Sequence, residues 1–565
     1  MAINRSVGRK AGAILATAAL TLSLAACSSG EENKNEDGTG GALTIFTQTS
    51  TYEGKLDGYV GKNFKDKLGL EINVVPSTVG GTDRFQTRLT TGDLGDLVIF
   101  GSRDALQQAI NANLMLDLNE HKEELPNMFR FADGVARMES LDDGKLYGMP
   151  SGVAENADIS RGDWPFIPSI RYDYYKELGS PVIQDYWGYQ DVTIAMAQAH
   201  PTTEAGDKFY ALSLFGGWDG TSAGQIRNIA QAQGWATGDG TNNYDLINID
   251  PKNKVVEDLL QDGSIYLQGL KWANGFHRAG QLDPDSATQT WDDYLKKGEK
   301  GQSAMWPYGY IGNLNFNPVN PDLTAQGKGF QRVAAEDAQI SESVSTMGTG
   351  WFWGITNKSK NQAGAIAFLD YMYGDEGAFT FENGPEGVIW KVNADGQPEF
   401  TELGAGDWSA EVPAEFGGGK VADTFKFRVN GAFISPDAVN TKYDSPSNYN
   451  TWTTYLSDNA SALDKLWSAD HGDALNMKQV LVDQGRVFGF EAKNVPQMVR
   501  SDEDKVILSQ VGDVIKQYSW RMIYANSDEE FDKLQQDMIS QAKALGYDKL
   551  VEFETGYAKN YFDAS

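Results

Sequence analysis

One serine of the sequence lies in a pattern that is typical of a catalytic nucleophile. Ser222 is the middle residue of GTSAG, which matches the G-x-S-x-G turn that exposes a serine hydroxyl in hydrolases. That chemistry requires a strand to run directly into the serine, whereas here the apolar run ends near Phe215 and GGWD intervenes. The spacing therefore favours Ser222 as a helix N-cap, and we predict no catalytic residue.

The other polar motifs do not specify a metal or acid–base site. The histidines, which show neither HExxH nor paired spacing, are His121, His200, His277 and His471. The stretch DPDSATQTWDD, residues 283–293, is rich in oxygen ligands but lacks the glycine that an EF-hand loop places at its sixth position. A bound structural calcium ion is therefore kept as an alternative, and no other cofactor is predicted. Carboxylate pairs of glycosidases are defined by distance in the fold, which a sequence does not give.

The charge balance of the chain indicates which class of ligand the protein does not bind. The 565 residues include 48 Lys and Arg against 78 Asp and Glu, a formal net charge of −30. Such a negative protein repels phosphate backbones, so no nucleic acid is expected as a ligand. The 14 tryptophans and 24 tyrosines are the other departure from average composition, and they need an explanation.

The N-terminus carries an export signal. Three basic residues precede an uncharged apolar run, residues 11–24, which is too short to span a hydrocarbon core about 30 Å thick. The only cysteine of the chain follows in LAAC, residues 24–27, which resembles the lipobox of bacterial lipoproteins. That resemblance implies cleavage before Cys27 and a diacylglyceryl group on its sulfur, and two acyl chains give a stable membrane anchor. A plain secretory signal with a chance cysteine is the alternative.

A polar segment follows the cysteine. Residues 28–41 read SSGEENKNEDGTGG and contain no apolar side chain, so we expect residues 27–41 to be a disordered tether. With residues 1–26 as the signal peptide, the folded body would be held at the outer face of the cytoplasmic membrane, as on a Gram-positive cell surface. No second apolar run approaches membrane-spanning length.

From residue 42 the pattern alternates strands and helices. Apolar runs at 42–46, 70–75 and 97–100 predict buried strands, and i+4 spacing from Leu56 to Leu68 predicts a helix that Gly69 ends. With a short helix in DRFQTRLTTG, these elements form a βαβαβ unit and hence a parallel sheet. Ligands of such sheets bind at the carboxyl ends of the strands, which indicates the loops TQTSTYEG and GSRDAL. The runs FYALSLF and GQSAMW predict strands of a second region.

Several motifs occur in the order of one known family. They are GDLGDLVIF, YGMP, IRYDYYKELG, GQSAMW, GWFWGITNKSKNQAGAIAFLDYMYGDEG and the C-terminal FDKLQQDMISQAKALGYDKLVEFETGYAKNYF. The chain resembles the extracellular solute-binding lipoproteins (family 1, carbohydrate-type) of bacterial ABC importers, which have the maltose-binding-protein fold, and within them the long subgroup. The resemblance implies an α/β, two-lobed periplasmic-binding-protein-like fold of type II, with parallel-sheet lobes joined by a hinge.

The resemblance also implies approximate boundaries. Lobe 1 would comprise residues 42–155 plus 350–400, and lobe 2 would comprise residues 156–349 plus 401–565. The hinge would lie in crossovers near residues 148–164 and 348–354. A ligand would bind between the lobes, which close on it.

Sugars present apolar C–H faces and a rim of hydroxyls, so a matching site stacks aromatic rings among hydrogen-bonding groups. The resulting candidates are Tyr52, Ser102, Arg103, Asp104, Trp164, Trp218, Trp306, Tyr308, Tyr310, Trp351 and Trp353. Tryptophans in helical contexts are instead expected in the core, namely Trp187, Trp272, Trp467 and Trp520.

Several of these candidate residues have an alternative role that does not involve the ligand. Arg103 and Asp104 align with charged ligand-binding positions of the family, and a surface ion pair is their alternative role. Trp218 lies among glycines that offer no packing reason for a buried ring, which favours the cleft. Trp351 and Trp353 share one face of a strand, so only one of them need reach the ligand while the other packs in the core.

Two classes of function remain at this point. The first is a non-catalytic receptor that captures an oligosaccharide and delivers it to an ABC permease, with a peptide or other non-sugar ligand as a variant of that reading. The second is a cell-surface polysaccharide hydrolase or lyase. Only the receptor accounts for the ordered family motifs. Its expected partners are an oligosaccharide, the permease subunits and, through Cys27, the membrane, and the protein itself is expected to be a monomer and not an enzyme.

Overall fold

The computed structural model describes residues 40–564, apart from residues 51, 80–81, 158–161, 407, 427–431 and 494. Cys27, the signal peptide and most of the tether lie outside these residues. No helix within the described ranges is both long enough and apolar enough to cross a membrane. The described residues form two large hydrophobic cores, one in each lobe, and this confirms the predicted two-lobed α/β organisation.

The first lobe is built on a mixed sheet. Its strands, in spatial order, are Gly54–Lys55, Leu70–Pro76, Gly41–Thr47, Leu97–Phe100, Phe352–Ile355 and Met149–Pro150. The three strands predicted from apolar runs pair in parallel, which confirms the βαβαβ unit. The strand Phe352–Ile355 returns from a distant part of the chain and runs antiparallel to Leu97–Phe100.

The helices of lobe 1 bury apolar side chains in the first core, except the last of them, Thr453–Asp458, which has no buried residue. They are Gly58–Leu68, Phe85–Thr91, Arg103–Asn111, Pro126–Phe129, Ala132–Leu141, Gln362–Met372, Asp375–Asn383 and Thr453–Asp458. The first of them ends at Gly69, whose φ of 69° is a left-handed conformation that glycine adopts without strain. Its Phe64 packs on Phe368 at a centroid distance of 5.5 Å, so the return helix belongs to the same core.

The second lobe has a smaller mixed sheet. Its strands, in spatial order, are Phe330–Arg332, Ser169–Arg171, Ser303–Trp306 and Tyr210–Leu212. The last two are parallel, and Ser169–Arg171 is antiparallel to both of its neighbours. Two ribbons flank this sheet, namely Ile247–Asp250 with Val255–Asp258 and Ile340–Val344 with Val487–Glu491.

The second lobe is rich in helices. They are Tyr172–Glu177, Tyr189–Ala199, Gly224–Arg227, Ile265–Arg278, Trp291–Glu299, Asn313–Val319, Pro321–Thr324, Ala462–Asp470, Met477–Asp483, Asp502–Ile523, Asp528–Ala544 and Tyr547–Asp563. The last three form a C-terminal helical unit whose apolar faces join the second core. The helix Asp502–Ile523, which we call the support helix, is the longest of the three.

The described residues of the stretch 401–452 belong to lobe 1 and not to lobe 2. Its buried side chains in the first core are Val412, Val421, Phe433, Tyr443 and Trp452. Phe433, for example, stacks on Trp353 of the lobe 1 sheet at a centroid distance of 3.9 Å. The sequence-based boundary that gave 401–565 to lobe 2 is therefore wrong for this stretch, which folds as short turns and ribbons without a periodic pattern.

The described chain passes between the cores three times, between residues 153 and 167, 340 and 352, and 452 and 463. The second passage is fixed to lobe 1 over residues 349–351, because Thr349 N donates to Ser151 O (2.7 Å) and Ser151 N donates to Trp351 O (2.9 Å). Residues 349–351 of the predicted hinge are therefore bonded to Ser151 of lobe 1, and the position of the hinge stays a prediction.

Candidate functional site

The carboxyl ends of the parallel strands in lobe 2 bring several loops to one edge of the sheet. Ser303–Trp306 and Tyr210–Leu212 are parallel, so the loops after them, residues 307–312 and 213–224, leave at that edge. Trp306 pairs with Ser169 at the start of an antiparallel strand, so residues 164–168 meet the same edge. Ligands of parallel sheets bind at such an edge.

A continuous group of aromatic rings lies at this edge, and we call it the ring platform. Its members are Trp164, Phe166, Trp218, Trp291, Tyr308 and Tyr310. Trp218 is central, with its ring centroid 4.7 Å from that of Trp291, 5.6 Å from Tyr308 and 5.8 Å from Tyr310. Trp218 is 39% exposed and Tyr310 is 38% exposed, so both rings offer surface to a ligand.

Tyr308 is a buried ring of the platform that packs against the exposed ring of Tyr310. Its ring is stacked on that of Tyr310 at 5.2 Å, and its hydroxyl oxygen accepts a hydrogen bond from Asn228 Nδ2 at 2.5 Å. Burial raises the pKa of the Tyr308 hydroxyl and raises the pKa of Tyr310 to about 12. Both hydroxyls are therefore neutral at physiological pH, and that of Tyr310 can donate to a ligand hydroxyl.

Phe166 extends the platform to Trp164. The Phe166 centroid lies 5.5 Å from Trp164 and 5.6 Å from Tyr308. Trp164 is itself held in place, because its Nε1 donates to Gln231 O at 3.2 Å. The platform thus runs through several rings, which suits a ligand of more than one sugar unit.

The glycines beside Trp218 have a packing reason that the sequence did not reveal. A Cβ on Gly216 would lie 2.9 Å from Ala287 O, and a Cβ on Gly224 would lie 2.6 Å from Trp218 O. Both positions therefore need glycine for close backbone approach. Trp218 ends a short 3-10 turn, Gly216–Trp218, which presents the ring beside the other platform rings.

Lobe 1 presents Trp351 at the corresponding edge of its own sheet. Phe352 pairs with Phe100, the last residue of its strand, so Trp351 lies where the parallel strands end. Trp351 is 39% exposed. Tyr52 follows the first strand of the same sheet, packs partly on the core and donates its hydroxyl proton to Lys55 O at 2.8 Å.

The polar candidates of lobe 1 have structural partners. Ser102 caps the helix Arg103–Asn111 by accepting from Ala105 N at 3.2 Å. Arg103 forms an ion pair with Asp142 that is largely buried, with side-chain exposures of 10% and 3%, and therefore differs from the surface ion pair given as its alternative role. Burial raises the pKa of Asp142, and the Arg103 guanidinium opposes that shift. Asp104 is exposed, and its Oδ2 lies 4.0 Å from Lys505 Nζ of lobe 2, so this edge of lobe 1 faces lobe 2 across the cleft.

Two of the predicted ligand-binding residues are core residues. Trp306 is fully buried against Tyr294, with ring centroids 5.3 Å apart, and Trp353 is fully buried against Phe433. Neither ring has a face open to a ligand, so both are withdrawn from the candidate site. Each belongs to a four-residue strand whose residues are all buried, so alternation could not reveal its direction.

Sequence reasoning missed two platform rings, Phe166 and Trp291. Trp291 begins the helix Trp291–Glu299 after a capping box made by Thr290 and Asp293. In the sequence it lies within the stretch 283–293, whose oxygen ligands indicate a calcium site rather than a sugar site. The available signal was the one that identified Trp218, namely a large ring in a polar loop near a strand end.

The residues considered for catalysis and calcium have other roles. Ser222 is buried, and Ala223 rather than Ser222 precedes the helix Gly224–Arg227, so the N-cap prediction is wrong by one residue. Lys297 Nζ lies 2.7 Å from Asp283 Oδ2 and 2.9 Å from Asp285 Oδ2, so an ammonium group joins the first carboxylates of the calcium candidate. Among the described residues, no group of three His, Cys, Asp or Glu is arranged to hold a metal ion.

Solved structures with the same fold come from several bacteria. An HMO-binding, ABC-transporter-associated solute-binding protein of Bifidobacterium longum infantis is 14% identical with a TM-score of 0.60, over 92% of this chain and 98% of that one. An EF-hand mutant of the Streptococcus pneumoniae substrate-binding protein FusA, solved with fructo-nystose, is 16% identical with a TM-score of 0.61, over 93% and 100%. The alginate-binding protein AlgQ2, solved without calcium ion, is 16% identical with a TM-score of 0.57, over 92% and 97%.

At these identities the likeness concerns the fold, and it confirms the two-lobed arrangement of type II periplasmic binding proteins. The sequence matches no curated protein. The model of one family, the bacterial extracellular solute-binding proteins, matches residues 60–381, which is more than half of the chain. The protein therefore belongs to the bacterial extracellular solute-binding family.

Proposed function

We propose that this protein is a receptor that binds an oligosaccharide between its lobes and delivers it to an ABC permease. The observation that carries the proposal is the ring platform of lobe 2, with Trp218 and Tyr310 exposed at the edge where parallel strands end. Trp351 occupies the equivalent edge of lobe 1. Closure of the lobes would place a sugar between rings from both sides.

The chemistry of the site favours a carbohydrate. Exposed ring faces bind the apolar C–H faces of sugars, and the neutral Tyr310 hydroxyl offers a hydrogen bond to a sugar hydroxyl. Structures of similar fold are described as HMO-binding or as complexes with fructo-nystose and kestose, which supports the same ligand class.

The rival function, a polysaccharide hydrolase or lyase, would need free acid and base groups at the rings. Asp219, beside Trp218, accepts hydrogen bonds from Trp520 Nε1 at 2.6 Å and from Gly224 N at 2.9 Å. Asp163, beside Trp164, forms an ion pair with Arg332. Both carboxylates are committed to holding loops, so neither is free to act as an acid or base on a bound sugar.

The remaining parts of the proposal concern attachment and cofactors. A diacylglyceryl group on Cys27 would tether the receptor to the outer face of the membrane, near its permease. A resident calcium ion is not part of the proposal, since the ammonium group of Lys297 already pairs with the carboxylates of Asp283 and Asp285.

A thermal-shift screen tests the proposed function. Kestose, other neutral oligosaccharides, alginate fragments and short peptides are added to the purified protein, and the melting temperature is measured. A ligand at about 100 times its Kd adds roughly 2.7 kcal/mol to the stability of the folded state. We expect at least one oligosaccharide to raise the melting temperature and to be recovered intact. A shift with peptides alone, or recovery of cleaved sugar, would contradict the proposal.

A further inference from the structure

The support helix packs one of its faces against the loop that carries Trp218. Gly512, Lys516, Ser519 and Trp520 recur at helical spacing along this face. A Cβ on Gly512 would lie 3.0 Å from Thr221 Cα, so glycine is what allows the helix to approach the loop so closely. The loop that bears the central platform ring thus rests on the C-terminal helical unit.

Asp219 joins the loop to the support helix. Its Oδ2 accepts from Trp520 Nε1 at 2.6 Å, while its Oδ1 accepts from Gly224 N at 2.9 Å and closes the loop on itself. Burial raises the pKa of Asp219, and the hydrogen bonds from Trp520 and Gly224 and the charge of Lys516 oppose that shift. Loss of the Trp520 donor would leave a partly buried carboxylate oxygen without its partner, which favours movement of the loop toward water.

A second connection runs through Tyr266. Its hydroxyl oxygen accepts from Ala223 N at 2.9 Å and forms a hydrogen bond with Ser519 Oγ at 2.7 Å. The Trp520 ring also packs on the loop, since its Cζ2 lies 3.2 Å from the position of a Cβ on Gly216. The support helix therefore contacts the loop on both sides of Trp218.

We propose that Trp520 and Asp219 are positioning residues of the ligand site, which hold the Trp218 ring in the platform through the support helix. Neither residue needs to touch the ligand, because both act through Trp218. The C-terminal helical unit then contributes to binding as well as to the core of lobe 2. The effect of Trp520 and Asp219 on ligand binding rests on the proposed function, whereas their effect on the position of the Trp218 ring does not.

Fluorine NMR of 5-fluorotryptophan-labelled protein tests this proposal without any ligand. The Trp218 resonance is assigned with Trp218→Phe, and then followed in Trp520→Phe and Asp219→Asn. The control is Tyr518→Phe. It removes the hydrogen bond that Gln541 Nε2 of the neighbouring helix donates to the Tyr518 hydroxyl of the support helix, and it leaves the loop contacts in place. We expect the Trp218 resonance to shift or broaden in both test variants and to stay unchanged in the control.

A binding measurement then separates positioning from general stability. In the wild-type background, Trp520→Phe should weaken binding of the sugar found in the screen by about tenfold, as for loss of a hydrogen bond to a charged group. In a Trp218→Ala background, the same substitution should cost nothing further. An unchanged Trp218 resonance in both folded test variants would overturn the proposal. Because that readout needs no sugar, it remains decisive even if the proposed function fails.

Discussion

Replacing Trp218 by alanine is the perturbation for which the structure sets the clearest magnitudes. The ring has 39% of its surface exposed and touches Trp291, Tyr308 and Tyr310. Removal of a fully buried tryptophan costs about 3–5 kcal/mol of stability, so a ring with this exposure should cost about 2–3 kcal/mol. Loss of one stacked ring should lower affinity for the sugar by about 1–3 kcal/mol, or roughly 5- to 150-fold.

Calorimetric titration with the sugar and thermal melts of the same variant measure both effects. Trp187→Ala is a matched control, because Trp187 is also a partly buried ring of lobe 2 but packs on Tyr186, which is not a platform ring. We expect similar losses of stability in the two variants and a loss of affinity in Trp218→Ala alone. Unchanged affinity in Trp218→Ala, together with a large drop in melting temperature, would refute the assignment of this ring to the ligand site.

Three further predictions follow from other parts of the molecule. Lys297→Met should cost about 3–5 kcal/mol of stability in denaturant titrations, because it leaves the buried Asp283 carboxylate without its cation, although with hydrogen bonds from Ser213 Oγ and Asp285 N, and a loss below about 1 kcal/mol would contradict this. Burial raises the pKa of Tyr59 and of Tyr310 to about 12 from 10.0, so the neutral hydroxyls are favoured in the fold. That stability is present below pH 10 and is lost as the pH rises towards 12, so melting temperatures should fall over this range, less steeply in Tyr59→Phe, and a flat profile would argue against it. Cys27→Ala should release the folded protein from the membrane fraction, and retention there would defeat the lipid anchor.

The first half of lobe 1 could be predicted because its signals are local. Apolar runs of strand length alternate with an i+4 helical stripe that ends at Gly69, and each run folds as the element that its period indicates. The return of residues 412–452 to lobe 1 had no such signal. Where the structure describes these residues, they form short turns and ribbons, and their place is decided by contacts with distant residues such as Trp353 and Tyr59.

The candidate site was only partly predictable for a related reason. A ring near a strand end can point into the core or into the cleft, and the sequence does not distinguish the two when every residue of a short strand is buried. Trp306 and Trp218 illustrate this, since Trp306 ends one strand of the lobe 2 sheet and is fully buried, whereas Trp218 follows the parallel neighbouring strand and is 39% exposed. Trp291 was missed because its place beside Trp218 depends on packing between the start of the helix Trp291–Glu299 and the loop that carries Trp218.

A crystal structure of the complex with the best oligosaccharide from the screen tests the central claim most directly. We predict a sugar between the lobes, with one of its rings within about 4 Å of the Trp218 ring and another contact at Trp351. A sugar bound outside the cleft, with Trp218, Tyr310 and Trp351 all left open to solvent, would contradict the account.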